Sequence, residues 1–171
     1  ILNGNGGEDT LYGMAGNDTL RTGGGNSARN TTMYGGAGDD ILLGGTKDDI
    51  LDGGTGTDKI STGGSGSDTI ILRAGDGNAS LSKADILNGF TSDDVFGLDG
   101  LSFADLTITQ GSGDNASHTI ISRSGEYLLI VKDTAASSIT ATNFMSMSTS
   151  NQTFSGTSGN DIFIGGAGKD T

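Results

Sequence analysis

Single apolar residues recur about nine positions apart along the first part of the chain, each two positions after an aspartate. The pattern is clearest from Gly35, which begins GGAGDDILL, and from Gly53, which begins GGTGTDKIS. The consensus is G-G-x-G-x-D-x-U-x, in which U is apolar. Its first six residues predict a turn with glycine at positive φ, and x-U-x predicts a short strand whose middle side chain points inward. The predicted inward residues are Leu11, Leu20, Leu42, Leu51, Ile60, Ile70 and Phe163.

Two such nonapeptides make one coil of about 18 residues, so successive strands should stack in two parallel sheets with a thin apolar seam between them. The sequence therefore predicts an all-β fold, a parallel β-roll (β-solenoid). The pattern covers residues 1–71, with a loop insertion near residues 22–31, fades into a β-rich segment at residues 72–155, and restarts as a second roll at residues 156–171.

Composition changes the meaning of this pattern. Of 171 residues, 32 are Gly, only 32 % are hydrophobic, and 21 acidic residues face 9 basic ones, which gives a net charge of −12. Such a composition is typical of disordered chains, but the regular phase of Asp and apolar positions argues against disorder here. The negative charge argues against a nucleic-acid partner. No apolar run approaches the roughly 20 residues that would predict a transmembrane segment. Without Cys, disulfides and thiolate metal sites are excluded.

The phased aspartates predict metal binding. Asp residues two repeats apart should stack along one edge at about the 4.8 Å strand spacing, where each pair repels by roughly 3 kcal/mol. Carboxylates and turn carbonyls are hard oxygen ligands, which suit several Ca²⁺ ions better than Mg²⁺ or zinc. The best predicted pairs are Asp40 with Asp58 and Asp49 with Asp68. The full set of predicted metal ligands is Asp9, Asp18, Asp40, Asp49, Asp58, Asp68, Asp85, Asp161 and Asp170.

One repeat is interrupted between Arg21 and Gly35, where TGGGNSARNTTMY has a longer turn. Thr31 stands at the Asp position and Met33 at the apolar position. We expect a loop that bulges from the roll, with a weakened or absent ion beside it. Neutral drift and a binding loop both remain open as explanations.

The segment after the repeats carries D-I-L-x-x-F from Asp85 and D-V-F-x-L-x-G-L-x-F-x-D-L-x-I from Asp94. Together with the nonapeptides, these motifs resemble the RTX (hemolysin-type calcium-binding) family over nearly the whole chain. The resemblance implies a calcium-bound β-roll of the kind found in secreted bacterial proteases, lipases, adhesins and surface-layer proteins. It implies an extracellular or cell-surface location, and it says little about the activity of a parent protein.

No catalytic motif is present. H-E-x-x-H is impossible with one His and two Glu residues, and neither G-x-S-x-G nor a G-x-x-x-x-G-K-[ST] phosphate loop occurs. His118 lies in the polar stretch GSGDNASHTII, which predicts a solvated loop residue. In the pair Asp39–Asp40, the repeat assigns Asp40 as a ligand and Asp39 as a turn residue. We therefore expect no enzymatic activity.

The function expected from the sequence is calcium binding that folds and rigidifies a secreted bacterial cell-surface or extracellular fibre protein, in a structural or adhesive role. The last repeat breaks off at Thr171 and Ile1-Leu2 would complete it, so copies stacked head to tail are one expectation, and a fragment cut within a repeat region is the alternative. The rival function is the non-catalytic C-terminal secretion module of a hydrolase or toxin. A third possibility is a carbohydrate- or ice-binding face, but the sequence has neither the aromatic platform nor the regular Thr ladder that such a face would need.

Overall fold

The computed structural model describes residues 1–23 and 29–147, and it is all-β with five short 3₁₀ turns in those residues. Short strands follow each Asp because the alternating x-U-x triplets favour extended backbone. The strands are β1 (Leu2–Asn3), β2 (Asp9–Tyr12), β3 (Thr19–Arg21), β4 (Thr31–Ala37), β5 (Ile41–Leu43), β6 (Ile50–Thr55), β7 (Lys59–Ser61), β8 (Thr69–Arg73), β9 (Asp85–Asn88), β10 (Val95–Asp99), β11 (Thr107–Gln110), β12 (Thr119–Arg123), β13 (Glu126–Val131) and β14 (Phe144–Met147).

The strands alternate between two sheets, as the nonapeptide pair predicts. One sheet has the order β1-β3-β5-β7-β9-β13-β12-β11, and the other has the order β14-β10-β8-β6-β4-β2. We call them sheet A and sheet B. All pairs are parallel except β11–β12 and β12–β13 in sheet A, which are antiparallel. The predicted parallel β-roll is confirmed.

The apolar seam lies between the sheets and follows the repeat register. Each position marked U pairs with the U position one coil away, so one inward column forms in each sheet. The sheet A column is Leu2, Leu20, Leu42, Ile60, Leu87 and Val131. The sheet B column is Leu11, Met33, Leu51, Ile70, Phe96 and Phe144. Most of these side chains are fully buried, and each contributes roughly 1.5–3 kcal/mol. Phe163 lies outside the described residues.

Both sheets run without a break past residue 71, the end of the recognisable repeats. β9, β10 and β14 add strands in the same register. The antiparallel strands β11–β13 then extend sheet A, and Ile121, Leu128 and Ile139 are buried near them. Phe96 and Phe144 lie 5.0 Å apart between ring centroids, which closes the seam at this end.

Gly54 shows why the turns need glycine. It has a φ of 86°, and a Cβ built there would lie 2.1 Å from the carbonyl oxygen of Gly36 in the preceding coil. Any side chain would force the coils apart at this point. In the part of the chain that the structure describes, no helix is long and apolar enough to cross a membrane.

Candidate calcium sites

The aspartates that end the sheet A turns form a ladder of side-chain to backbone hydrogen bonds. The Oδ1 atom of Asp40 accepts the N–H of Asp18 at 2.7 Å, and that of Asp58 accepts the N–H of Asp40 at 2.8 Å. Asp85 continues the ladder by accepting the N–H of Asp58 at 2.8 Å. We call Asp18, Asp40, Asp58 and Asp85 the A ladder. Each of these hydrogen bonds therefore joins the backbone of one coil to the aspartate side chain of the next coil.

A second ladder lies along the opposite edge, where the turns lead into sheet B. Asp49 accepts the N–H of Thr31 at 2.8 Å, and Asp68 accepts the N–H of Asp49 at 2.8 Å. Asp94 accepts the N–H of Asp68 at 2.9 Å. We call Thr31, Asp49, Asp68 and Asp94 the B ladder. Asp94 is not among the ligands predicted from the sequence, although its spacing of two residues before the inward Phe96 could have identified it.

The second carboxylate oxygens are the atoms best placed to bind a cation. The Oδ2 atoms of Asp9, Asp40, Asp58 and Asp68 are buried and have no hydrogen-bond partner among the described residues. By contrast, Oδ2 of Asp49 accepts the N–H of Gly45 at 2.7 Å. A buried carboxylate oxygen without a donor costs free energy unless a cation reaches it.

The glycine that opens each turn leaves space beside these oxygens. A Cβ built at Gly53 would lie 2.5 Å from Oδ2 of Asp58, and one built at Gly35 would lie 2.6 Å from Oδ2 of Asp40. The position at Gly35 is also 2.5 Å from the carbonyl oxygen of Gly53 in the next coil. The space is thus lined by a carboxylate and a backbone carbonyl from neighbouring coils, both hard oxygen ligands.

Burial without a counter-charge shifts the acidity of the ladders. Desolvation is the main cause that raises the pKa of Asp58 to about 6, of Asp68 to about 7 and of Asp85 to about 8; a backbone N–H donor opposes the rise, and neighbouring carboxylates contribute to it. Burial also raises the pKa of Asp40 and Asp49, although backbone N–H donors lower it in part. None of the ion pairs found in the described part of the chain includes these five side chains.

The donor set fits Ca²⁺. Across residues 1–23 and 29–147, no three Asp, Glu or His side chains come together as a metal cluster, so carboxylates alone do not complete any site. Backbone carbonyls must supply the remaining oxygens. Ca²⁺ takes six to eight oxygens in flexible geometry, carbonyls included, whereas Mg²⁺ favours a strict octahedron with retained waters.

The predicted residues are thus distributed unevenly. The structure places Asp18, Asp40, Asp58 and Asp85 in one ladder and Asp49 and Asp68 in the other. Asp9 pairs in register with Thr31, which carries no carboxylate. The prediction for Asp161 and Asp170 falls outside the described residues.

A further set of turn residues, one position before the ladder aspartates, forms an outer ladder in the opposite direction. Asn17 accepts the N–H of Asp39 at 2.9 Å, and Asp39 accepts the N–H of Thr57 at 3.0 Å. On the other edge, Asp48 accepts the N–H of Ser67 at 2.8 Å. Asp39 is solvent-exposed, which agrees with its assignment as a turn residue.

The expectation that His118 is a solvated loop residue is wrong. Its exposure is 5 %, its Nδ1 accepts the N–H of Asp133 at 3.0 Å, and its Nε2 lies 2.7 Å from Nζ of Lys132. The surrounding polar sequence resembles a loop, but His118 directly precedes β12, and antiparallel pairing places it against the end of β13. His118 therefore connects the start of β12 to the end of β13 through side-chain hydrogen bonds.

A parallel roll whose turns hold buried, unpartnered carboxylates has the architecture of a cation-binding β-roll. The model for the RTX calcium-binding nonapeptide repeat matches the chain at residues 1–27, 34–70, 60–78 and 148–171, together more than half of its length. The chain therefore belongs to the family of RTX calcium-binding repeat proteins. Because these repeats bind Ca²⁺, the protein is a calcium-binding β-roll module.

Two further comparisons add context. The R2 subunit AlgE6R2 of the Azotobacter vinelandii mannuronan C5-epimerase, known from a solution structure, is 20 % identical and has a TM-score of 0.47. The match covers 85 % of this chain and 91 % of that chain. No curated protein matches the chain significantly.

Proposed function

We propose that the chain is a structural or adhesive module of a secreted bacterial cell-surface or extracellular fibre protein, folded and rigidified by Ca²⁺ after export. In this proposal the ions lie between the coils and are bound by the ladder aspartates and turn carbonyls. The module has no catalytic role of its own, and copies stack head to tail, with the edge strands β1 and β2 at one of the two contacting ends.

The observation that carries the proposal is the row of buried Oδ2 atoms without donors. A buried carboxylate oxygen without a donor is costly in the absence of a cation, and its contact with a cation is favourable. Asp58 illustrates this, because its Oδ1 already accepts a backbone N–H while its Oδ2 faces the space beside Gly53. Calcium is therefore part of the folding free energy.

The export dependence follows from affinity. Extracellular calcium modules have dissociation constants of about 10⁻⁴–10⁻³ M. Free calcium about tenfold above that value adds roughly 1.4 kcal/mol per site, so five sites add about 7 kcal/mol, which is comparable to the stability of a domain. Cytosolic calcium is far too low to have this effect, so the calcium-dependent coils fold outside the cell.

A calcium titration followed by far-UV circular dichroism tests the proposal. The β signal should rise cooperatively as calcium is added to the calcium-stripped protein and should fall again to its starting value with chelator. The matched variants are Asp58→Asn, which removes a ladder charge, and Asp39→Asn, which removes an exposed charge in the adjacent coil and keeps its acceptor oxygen. Asp58→Asn should raise the calcium midpoint about tenfold, and Asp39→Asn should leave it close to the original value.

Two results would contradict the proposal. One is a spectrum that does not change between chelator and saturating calcium. The other is an equal shift of the midpoint in both variants, because this would mean that general charge reduction, rather than loss of a ligand, sets the calcium dependence.

A further inference from the structure

Arg73, the last residue of β8, lies among three carboxylates from three different segments. Asp52 belongs to β6, Asp99 to β10, and Asp76 to the turn that follows β8. The guanidinium contacts Asp52 through two hydrogen bonds of 3.1 and 2.9 Å, Asp99 at 3.1 Å and Asp76 at 3.0 Å. We call these four residues the Arg73 cluster. It spans three neighbouring strands of sheet B.

The carboxylates of the cluster are largely shielded from water. One third of the Arg73 side chain is exposed, and the side chains of Asp52, Asp76 and Asp99 are 7 %, 15 % and 14 % exposed. A planar guanidinium with several N–H donors can bind carboxylates in fixed directions, one of them bidentately. These contacts therefore set the spacing of β6, β8 and β10.

The turn after Arg73 is also anchored without a metal. Oε1 of Glu126, at the start of β13, accepts the N–H of Gly75 at 2.8 Å and that of Gly77 at 3.0 Å. The backbone of Asn78 bridges that of Tyr127 through two hydrogen bonds of 3.0 and 2.7 Å. Sheet B at Arg73 is thereby connected to β13 of sheet A.

We propose that the Arg73 cluster is an internal cation site, in which the guanidinium of the chain takes the place that Ca²⁺ has in the turns and holds β6, β8 and β10 together without calcium. The contrast with the ladders rests on the proposed function. The ladder atoms Oδ2 of Asp40, Asp58 and Asp68 have no partner, whereas the cluster carboxylates have a cation supplied by the chain itself. The calcium-free protein is therefore not uniformly unfolded.

Hydrogen–deuterium exchange of the whole chain after removal of calcium tests this proposal. Amides in β8, β10 and residues 75–78 should retain protection while those in β2 and β3 exchange rapidly. Arg73→Gln should lower the protection of β8 and β10 by about 10- to 100-fold, because it leaves buried carboxylates without their cation. The control is Arg29→Gln, since Arg29 is exposed and lies 3.9 Å from Glu8; it should change nothing in β8 or β10.

Asp99→Asn provides a second variant with a smaller change, which removes one partner and keeps the guanidinium in place. It should lower protection in the same strands by a smaller factor. Equal exchange across all strands of the calcium-free protein would overturn the proposal, as would unchanged exchange in Arg73→Gln. Adding calcium to the same samples separates this result from the proposed function: if protection of β2 and β3 does not rise, the calcium proposal fails while the Arg73 result stands by itself.

Discussion

Without calcium, mild acid should favour folding of this chain, the reverse of ordinary acid denaturation. The perturbation is a change from about pH 8 to about pH 5 in protein stripped of calcium. The relevant groups are Asp58, Asp68 and Asp85, whose pKa values burial raises to about 6, 7 and 8. In the unfolded chain each returns to an ordinary pKa near 3.8, so the folded state binds more protons between these limits. The contribution of these three protonated side chains to the free energy of unfolding is therefore fully present below about pH 4 and is lost as the pH rises through 6, 7 and 8.

The size of the effect follows from the shifts. The pKa values rise by about 2, 3 and 4 pH units, and one unit corresponds to about 1.4 kcal/mol. Three independent groups would therefore contribute roughly 12 kcal/mol over the whole range, of which about 8 kcal/mol falls between pH 8 and pH 5. Asp58 and Asp85 are neighbours in one ladder, and solvent near the turns screens all three groups. These factors reduce the expected gain between pH 8 and pH 5 to about 3–5 kcal/mol.

Far-UV circular dichroism of the calcium-stripped protein across this range is the assay. The β signal should increase on acidification to about pH 5. In Asp85→Asn, which keeps an oxygen to accept the N–H of Asp58, the side chain is neutral at every pH. That variant should show more structure at pH 8 and a weaker dependence on pH. Loss of structure on acidification within this window, or an identical profile for Asp85→Asn, would show that protonation of these carboxylates does not stabilise the fold.

Two further predictions concern stacking. Gly54→Ala should destabilise the calcium-loaded protein by at least about 3 kcal/mol in chemical denaturation, since the new Cβ meets the Gly36 carbonyl oxygen at 2.1 Å and the backbone has positive φ. The control is Gly6→Ala, where a Cβ meets nothing within 4 Å. Equal losses of stability in the two variants would disprove the steric argument. End-to-end packing through β1 and β2 should appear in sedimentation velocity as calcium-dependent species larger than a monomer that diminish in Tyr12→Glu. A monomer at all concentrations would disprove it.

The repeat made most of the roll predictable. Because Asp and the apolar position keep a fixed spacing, the nine-residue repeat predicts the sheet order and the side chains that point inward. Even Met33, in the interrupted repeat, is buried as its position predicts. After residue 71 the spacing between coils becomes irregular. The step from Asp58 to Asp85 is 27 residues and that from Asp68 to Asp94 is 26, so local periodicity no longer indicates that the same sheets continue.

The site was predictable where it repeats and unpredictable where tertiary contacts form it. Asp94 follows the D-x-U spacing, so its place in a ladder can be predicted from the sequence. By contrast, nothing local indicates that Arg73 meets Asp52 and Asp99, residues 21 and 26 positions away. His118 is a similar case, since its burial depends on the antiparallel pairing of β12 with β13. Such contacts depend on which strands become neighbours, and that information is absent from short motifs.

If calcium ions lie between the coils, they must be found beside the unpartnered carboxylate oxygens. A crystal structure of the calcium-loaded protein, with anomalous scattering used to locate the ions, would show them there. Anomalous peaks are expected within bonding distance of Oδ2 of Asp40, Asp58 and Asp68, about 2.3–2.6 Å, with turn carbonyls completing each shell. Absence of peaks at these oxygens in calcium-saturated crystals, with protein donors bonded to Oδ2 instead, would contradict this placement of the ions.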